Sequence, residues 1–151
     1  MSKIICKSSV LPAGAGAIWK KLQRLDSLQY VAAPYATFEP LGGRKTFTWK
    51  SGRFFSLKLK LFGLLPLGIH TIRILIFDRE KLTIYSHEGN LHVPVWNHLI
   101  KLKPIDDRHT LYTDRVEIDA GRKTPLICLW AELFYAHRQR RWKKLLRLPA
   151  K

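Results

Sequence analysis

The chain has 151 residues, and 46% of them are hydrophobic. This length predicts a single domain over residues 1–151, and the apolar content excludes an intrinsically disordered chain. Lys and Arg number 27 against 11 Asp and Glu, so the formal net charge is +16, which concerns partners and solubility rather than fold.

The N-terminal segment and the apolar runs predict where the protein resides. The first residues lack the continuous apolar core of a signal peptide, because Lys7 interrupts them. No apolar run is long enough to predict a membrane span. Cys6 and Cys128 lie in separate apolar segments and are interpreted as buried free thiols of a reducing compartment. A cytoplasmic protein without a transmembrane segment is predicted.

The first third of the chain predicts a strand and two short helices. Lys3–Val10 is a β-rich run that Pro12 ends. Ala13–Leu25 has apolar residues at helical spacing, and a second short helix follows it and ends before Pro34.

From Ala36 onward the hydrophobic period changes to two, which predicts strands. The candidate strands are Ala36–Leu41, Thr46–Lys50, Phe54–Leu61, Ile69–Asp78, Leu82–Glu88, Val95–Lys103 and His109–Asp119. Turns are predicted at 42–43 and 51–52, and the segment 62–68 is predicted to be an apolar loop. In the strand Ile69–Asp78, the residues Ile72, Ile74 and Ile76 are the predicted core face.

The C-terminal stretch Thr124–Leu148 predicts one long helix, with Thr124 as its N-cap and Pro125 at its first position. The first half is apolar almost all round, so it should be covered on most sides. The second half is basic and amphipathic. Its cations form a predicted basic patch of Arg138, Arg140, Arg141, Lys143, Lys144 and Arg147.

This order of elements predicts an α+β fold. About six to seven antiparallel strands form a curved sheet that wraps around the long C-terminal helix, with two short helices after the first strand. The segments Leu11–Pro34, Thr110–Gly121 and Phe134–Leu146 are its landmarks, and with them the chain resembles the START/Bet v 1-like superfamily. This is the helix-grip (SRPBCC) group of polyketide cyclase/dehydrase and lipid-transport proteins. The resemblance implies a cavity for a hydrophobic ligand between the sheet and the last helix, where a minority of members catalyse reactions.

Strand alternation predicts a polar patch on the apolar wall. His98 should face inward with Trp96, and a three-residue turn at 105–107 would place Asp114 opposite His98. Pairing of the preceding strand would place Ser86 beside His98, and Glu88 beside Trp96. Buried polar groups need partners, so these residues either satisfy one another, orient the polar end of a ligand, or supply an acid/base pair.

The predicted function is the binding of a small, mainly hydrophobic ligand, lipid-like or polycyclic. The predicted ligand-binding residues are Phe55, Leu57, Ile74, Ser86, Glu88, Trp96, His98, Asp114, Trp130 and Phe134. One alternative is a cyclase- or hydrolase-like enzyme with His98 and Asp114 as catalytic candidates. Another is an adaptor whose basic patch docks on RNA, ribosome or an anionic membrane. No cofactor is predicted, and no metal, because the histidines lack the spacing of a metal motif.

Overall fold

The computed structural model describes residues 2–41 and 54–148. The predicted strand Thr46–Lys50 and the two turns beside it lie outside these residues. The elements are β1 (Lys3–Leu11), α1 (Ala15–Leu22), α2 (Leu25–Ala32), β2 (Ala36–Pro40), β3 (Phe54–Leu61), β4 (Leu65–Asp78), β5 (Thr83–Gly89), β6 (Val95–Asp106), β7 (His109–Asp119) and α3 (Thr124–Leu146).

The described strands form one antiparallel sheet in the order β1-β7-β6-β5-β4-β3-β2. Neighbours in the sheet are neighbours in sequence except at β1, which pairs with β7. The helix α3 packs against β1 and α2, and its Gln139 donates to the Lys7 carbonyl at 2.9 Å. This architecture confirms the predicted α+β helix-grip fold.

The period-two pattern of the last strands places their alternate side chains in the interior. In β6, Trp96, His98, Ile100 and Leu102 are buried. In β7, Thr110, Tyr112, Asp114, Val116 and Ile118 are buried. One face of each strand therefore points towards α1, α2 and α3. The polar side chains on that face, such as His98 and Asp114, lie there because they occupy alternate positions along the strand.

Two predictions for β4 are wrong. The strand begins at Leu65 rather than Ile69, so the connection from β3 is only the short turn 62–64. Ile76 is 45% exposed rather than buried. The pairing with β5 shifts by one residue between Ile74 and Ile76, and this bulge turns the following side chains to the opposite face.

The helix boundaries also differ from prediction. The first helix is shorter than Ala13–Leu25, since α1 ends at Leu22. Thr124 is not the N-cap of α3 but its first helical residue, because a 3-10 turn at Gly121–Lys123 precedes it. The Thr124 hydroxyl still joins the two elements, accepting from the Ala120 amide at 2.9 Å and donating to the Gly121 carbonyl at 2.7 Å.

Two expectations about burial are wrong. Cys6 is exposed, because the alternation of β1 turns its side chain away from buried Ile5. The start of α3 is not covered on most sides: Leu126, Leu129 and Leu133 are 68%, 61% and 55% exposed. These three leucines share one face of the helix at i, i+3 and i+7 spacing.

Candidate functional site

A cavity of about 530 Å³ lies between the sheet and the helices α2 and α3. Its sheet wall includes Ile72, Ile74, Ile84, Trp96 and Ile100, and its α3 wall includes Ile127, Trp130, Phe134 and Trp142. The exposed leucines of α3, at 126, 129 and 133, also line it, and they mark where it meets solvent. The interior is therefore apolar for most of its surface, with a polar region on the sheet side and Arg138 on the α3 side.

Seven of the ten predicted ligand-binding residues line this cavity: Ile74, Ser86, Glu88, Trp96, His98, Trp130 and Phe134. Phe55 and Leu57 do not, although they pack in one cluster with Ile72 and Ile74, which do. Asp114 does not line it either, and lies behind His98.

A buried polar cluster occupies the sheet wall and consists of His70, Ser86, Glu88, His98 and Asp114. Glu88 is its centre: one carboxylate oxygen accepts from His70 Nε2 at 2.9 Å, and the other accepts from Ser86 Oγ at 2.6 Å. His98 Nδ1 lies 3.7 Å from the second oxygen. The predicted pairings of Ser86 with His98 and of Glu88 with Trp96 are present in the sheet.

Asp114 holds the far side of His98. It accepts hydrogen bonds from His98 Nε2 at 2.7 Å, from the Tyr112 hydroxyl at 3.1 Å and from Gln139 Nε2 at 3.1 Å. All three partners are buried. Neighbours within the fold thus use three of its roughly four acceptor sites.

The predicted register of this pair is wrong by two residues. His98 lies opposite Val116, and Asp114 lies opposite Ile100. The register differs because the turn lies at 107–108, after Asp106 has paired with His109, rather than at 105–107; the one-residue shift between Pro104 and Asp106 offsets only part of this difference. The two side chains still meet, because a diagonal neighbour on the same face is within reach of a long side chain.

Opposite charges override burial in this cluster. Burial raises the pKa of Glu88, but the hydrogen bonds from His70 and His98 outweigh it and hold that pKa far below its usual value. Burial lowers the pKa of His98, but the bonds to Asp114 and Glu88 raise it above the usual value. The pKa of Asp114 is lowered in the same way, against its burial, by His98 and Arg138. The arrangement therefore favours two carboxylates around a protonated His98.

The helix α3 closes the site from the other side. Trp96 Nε1 donates to the Tyr135 hydroxyl oxygen at 3.0 Å, which ties the sheet to the helix. Arg138 also lines the cavity and is only 6% exposed. Its predicted place in an exposed basic patch is therefore wrong, because the buried stripe of α3 passes through it.

The remaining basic residues lie outside the cavity. Arg140, Lys144 and Arg147 are exposed. Arg141 packs over the Tyr30 ring, with 3.9 Å between its Cζ atom and the ring centroid, and donates to the Tyr30 carbonyl at 3.2 Å. Lys143 is half-buried. The exposed part of the predicted patch is thus smaller than the sequence suggests.

Nearly the whole chain matches a known protein family. Residues 9–146 match the family described as Domain of unknown function (DUF8410). The chain belongs to this family. No sequence among the curated proteins matches it.

Solved structures similar to this DUF8410 domain share its fold at low sequence identity. Protein CV1439 from Chromobacterium violaceum is 13% identical with a TM-score of 0.75, covering 97% of this chain and 98% of its own. A START superfamily protein from Mycobacterium smegmatis is 12% identical with a TM-score of 0.69, covering 93% and 94%. Norcoclaurine synthase from Thalictrum flavum, in complex with dopamine and hydroxybenzaldehyde, is 17% identical with a TM-score of 0.66, covering 100% and 90%. These likenesses confirm the START/Bet v 1-like fold.

Two general features of the DUF8410 domain bear on its possible chemistry. Within residues 2–41 and 54–148, His, Cys, Asp and Glu side chains form no group of three that could hold a metal ion. In the same part of the chain, none of the helices combines the length and apolarity that crossing a membrane requires.

Sequence reasoning missed several residues of the site. Asn90 supports His70 by donating to its Nδ1 at 3.1 Å, and Gln139 supports Asp114. The sequence groups His70, which enters the cluster from β4, with Glu88 and His98 only as a metal site, which the spacing of the histidines argues against. The missed α3 residues had a detectable signal. The buried residues of the helix recur at heptad-like spacing, and the stripe Ala131, Phe134, Tyr135, Arg138 and Trp142 includes one cation between aromatics.

Proposed function

We propose that this domain binds a small, mainly hydrophobic molecule in the cavity between the sheet and α3. The observation that carries the proposal is an apolar cavity of about 530 Å³ with one buried polar cluster on its wall. Cavities of roughly 300 to 1,000 Å³ with a few placed polar groups are typical of small-molecule sites. The structurally similar norcoclaurine synthase, with dopamine and hydroxybenzaldehyde, holds small aromatic molecules, which supports the same use of this fold.

The two parts of the site have different roles in this proposal. The apolar walls supply the free energy of binding by removing ligand surface from water. The polar cluster orients the ligand, since Ser86, Glu88 and His98 all line the cavity. The exposed leucines of α3 form an apolar path between solvent and the interior.

A neutral fluorescent probe tests the proposal. N-phenyl-1-naphthylamine carries no charge, so its binding does not report the basic surface. We expect it to bind the wild-type protein and to become fluorescent. Leu67→Trp adds bulk at a half-buried lining position and should weaken binding at least about tenfold.

The matched control is Leu64→Trp, which makes the same change on the same hairpin at a residue that is 86% exposed. This variant should bind the probe as the wild type does. A wild-type protein that leaves the probe dark, or equal binding by Leu67→Trp, would contradict the proposal.

The enzymatic alternative has weaker geometric support. Nε2 of His98 is bonded to Asp114, and its Nδ1 faces Glu88 at 3.7 Å. A general base needs a free nitrogen directed at its substrate. This arrangement favours His98 and Asp114 as groups that position a ligand. Acid/base catalysis by this pair stays a prediction.

Two further sequence predictions stay predictions. The cytoplasmic location and the docking on RNA, ribosome or anionic membrane rest on composition. Since Arg138 is buried and Arg141 packs on Tyr30, the exposed basic surface that remains consists mainly of Arg140, Lys144 and Arg147.

A further inference from the structure

The α3 wall of the cavity carries hydrogen-bond donors that lack acceptors. Within the part of the chain that the structure describes, three buried side-chain polar atoms have no hydrogen-bond partner: Trp130 Nε1, Arg138 Nε and Trp142 Nε1. All three are N–H donors, all three belong to α3, and all three residues line the cavity. A buried donor without an acceptor is costly, so the wall lacks acceptors that a bound molecule can supply.

Arg138 is the most demanding of the three residues, because a guanidinium cannot lose its proton to escape burial. Within residues 2–41 and 54–148, no carboxylate oxygen lies within 4 Å of a nitrogen of Arg138, so it forms no ion pair there. Its Cζ atom lies 5.8 Å from the centre of the Tyr135 ring, and the Tyr112 hydroxyl and the Asp114 carboxylate both act on the guanidinium, but its Nε has no acceptor.

The two acids near the cavity are hydrogen-bonded to other side chains, although the charge of Arg138 also acts on Asp114. Asp114 accepts from His98, Tyr112 and Gln139. Glu88 accepts from His70 and Ser86. His98 lies between the two acids, 2.7 Å from Asp114 and 3.7 Å from Glu88. Arg138 is therefore a cation of the cavity wall that donates no hydrogen bond to any carboxylate of the described residues.

We infer that the molecule held in the cavity is an apolar carboxylic acid whose carboxylate pairs with Arg138. This inference rests on the proposed function and names the class of its ligand. A carboxylate supplies two acceptor oxygens and the negative charge that a buried guanidinium requires, and the planar fork of arginine matches that geometry. The aliphatic or aromatic body of the acid would fill the space between Trp96, Trp130 and Phe134, which line the same cavity.

Two probes of the same chain length test the ligand class. Decanoate and 1-decanol differ only in the end group, and both can be measured by displacement of N-phenyl-1-naphthylamine at about pH 8, where the acid is ionised. The wild-type protein should bind decanoate at least about tenfold more tightly than decanol. Both probes are measured at physiological ionic strength, which screens the attraction between decanoate and exposed charges more than about 8 Å away.

Two variants assign the preference to one residue. Arg138→Met removes the charge but keeps an apolar stem of similar length, so decanol should still bind, and the preference for decanoate should fall to within about twofold. Arg140→Met is the matched control, because it removes the same charge from an exposed position two residues away. This control should keep the wild-type preference.

The outcomes distinguish a failure of the carboxylate inference from a failure of the proposed ligand binding. If the wild type binds decanol as tightly as decanoate, or if Arg138→Met keeps the preference, the inference is wrong and the apolar cavity still binds ligands. If neither probe nor the dye binds, the proposed function itself fails. Should Arg138→Met not fold, Arg138→Lys replaces it: an ammonium cannot bind a carboxylate through two parallel N–H groups, so the preference should fall at least about threefold.

Discussion

At the scale of single residues, the polar cluster sets the pH response of the fold. The pKa of buried His98 is raised above its usual value, because its bonds to Asp114 and Glu88 outweigh the effect of burial. A group whose pKa is raised on folding stabilises the protein in its protonated form. This contribution is fully present below the unfolded pKa of about 6.5 and is lost as the pH rises through the folded value.

His98→Gln should therefore change the pH dependence of stability. The difference in unfolding free energy between wild type and variant should be larger at about pH 6 than at about pH 9. Urea denaturation at both values measures it. His92→Gln serves as the control, since His92 is exposed and should leave the pH dependence unchanged. A wild-type-to-variant difference that stays constant across this range would contradict the assignment.

The two acids of the cluster act in the opposite direction. The pKa values of Glu88 and Asp114 are lowered against their burial, chiefly by the histidines bonded to them. Their contribution to stability is present above the unfolded values and is lost as the pH falls through the folded ones. The cluster therefore stabilises the fold most between the unfolded carboxyl range near pH 4 and the unfolded histidine value near pH 6.5.

Alternation in the sequence predicts part of this cluster. A period of two is enough to place Ser86, Glu88 and His98 on one face, because that face follows directly from the strand assignment. It could not give the register of Asp114, which depends on the position of the turn at 107–108 and on a shift near Pro104. Sequence reasoning also assigns Arg138 to the exposed basic patch because of its charge, although its spacing from Tyr135 and Trp142 matches the buried stripe of the helix.

At the scale of elements, the start of α1 is fixed by a close contact with the β6–β7 turn. Gly14 precedes α1, and a Cβ atom there would lie 2.7 Å from the carbonyl oxygen of Asp107. The obstacle is backbone, so it cannot rotate away as a side chain would. The absence of a side chain at this position therefore lets the first helix close against the end of the sheet.

Gly14→Ala should destabilise the protein by about 1 to 3 kcal/mol in urea denaturation, because the turn or the helix must move. Gly16→Ala is the matched control two residues later. Nothing lies within 4 Å of a Cβ atom at Gly16, which is helical. This change should be neutral or should stabilise by up to about 1 kcal/mol. Equal effects of the two substitutions would contradict the role given to this contact.

The sequence predicts the elements correctly where the hydrophobic periodicity extends over many residues. The predictions are wrong where the backbone is irregular. The strands β6 and β7 follow their alternation over many residues, and the long helix begins within one residue of its predicted start. The bulge that exposes Ile76 and the 3-10 turn before Thr124 depend on local backbone geometry. Such features leave the hydrophobic pattern of the neighbouring residues almost unchanged.

At the scale of the whole molecule, the formal net charge of +16 opposes compaction. Mutual repulsion of like charges destabilises a compact state, and salt screens it. The melting temperature should therefore rise by a few degrees between about 0.02 M and about 0.5 M sodium chloride. Differential scanning fluorimetry measures this directly. The double variant Arg140→Glu, Lys144→Glu, at exposed sites, should show a smaller rise, whereas an equal or larger rise would argue against repulsion as the cause.

The interior volume is a property that no sequence pattern of this chain discloses. Alternating strands and an apolar helix describe a solid core and a hollow one equally well, since both bury the same faces. Aromatic side chains of both walls border the space between them. Trp130 stacks on Phe134 with 4.8 Å between ring centres, and Trp96 is held by its bond to Tyr135.

The pairing of β1 with β7 determines when this protein can acquire its final shape. In the sheet, Lys3 of β1 lies opposite Ile118 of β7, and α3, which follows β7 in the chain, packs on β1. During synthesis the first strand must wait for its partner until β7 has left the ribosome, because its neighbours in the sheet and above it, β7 and α3, are made after all the other described elements. A ribosome-stalled chain ending before β7 would hold a sheet lacking one border, and the cavity would have no helix to enclose it.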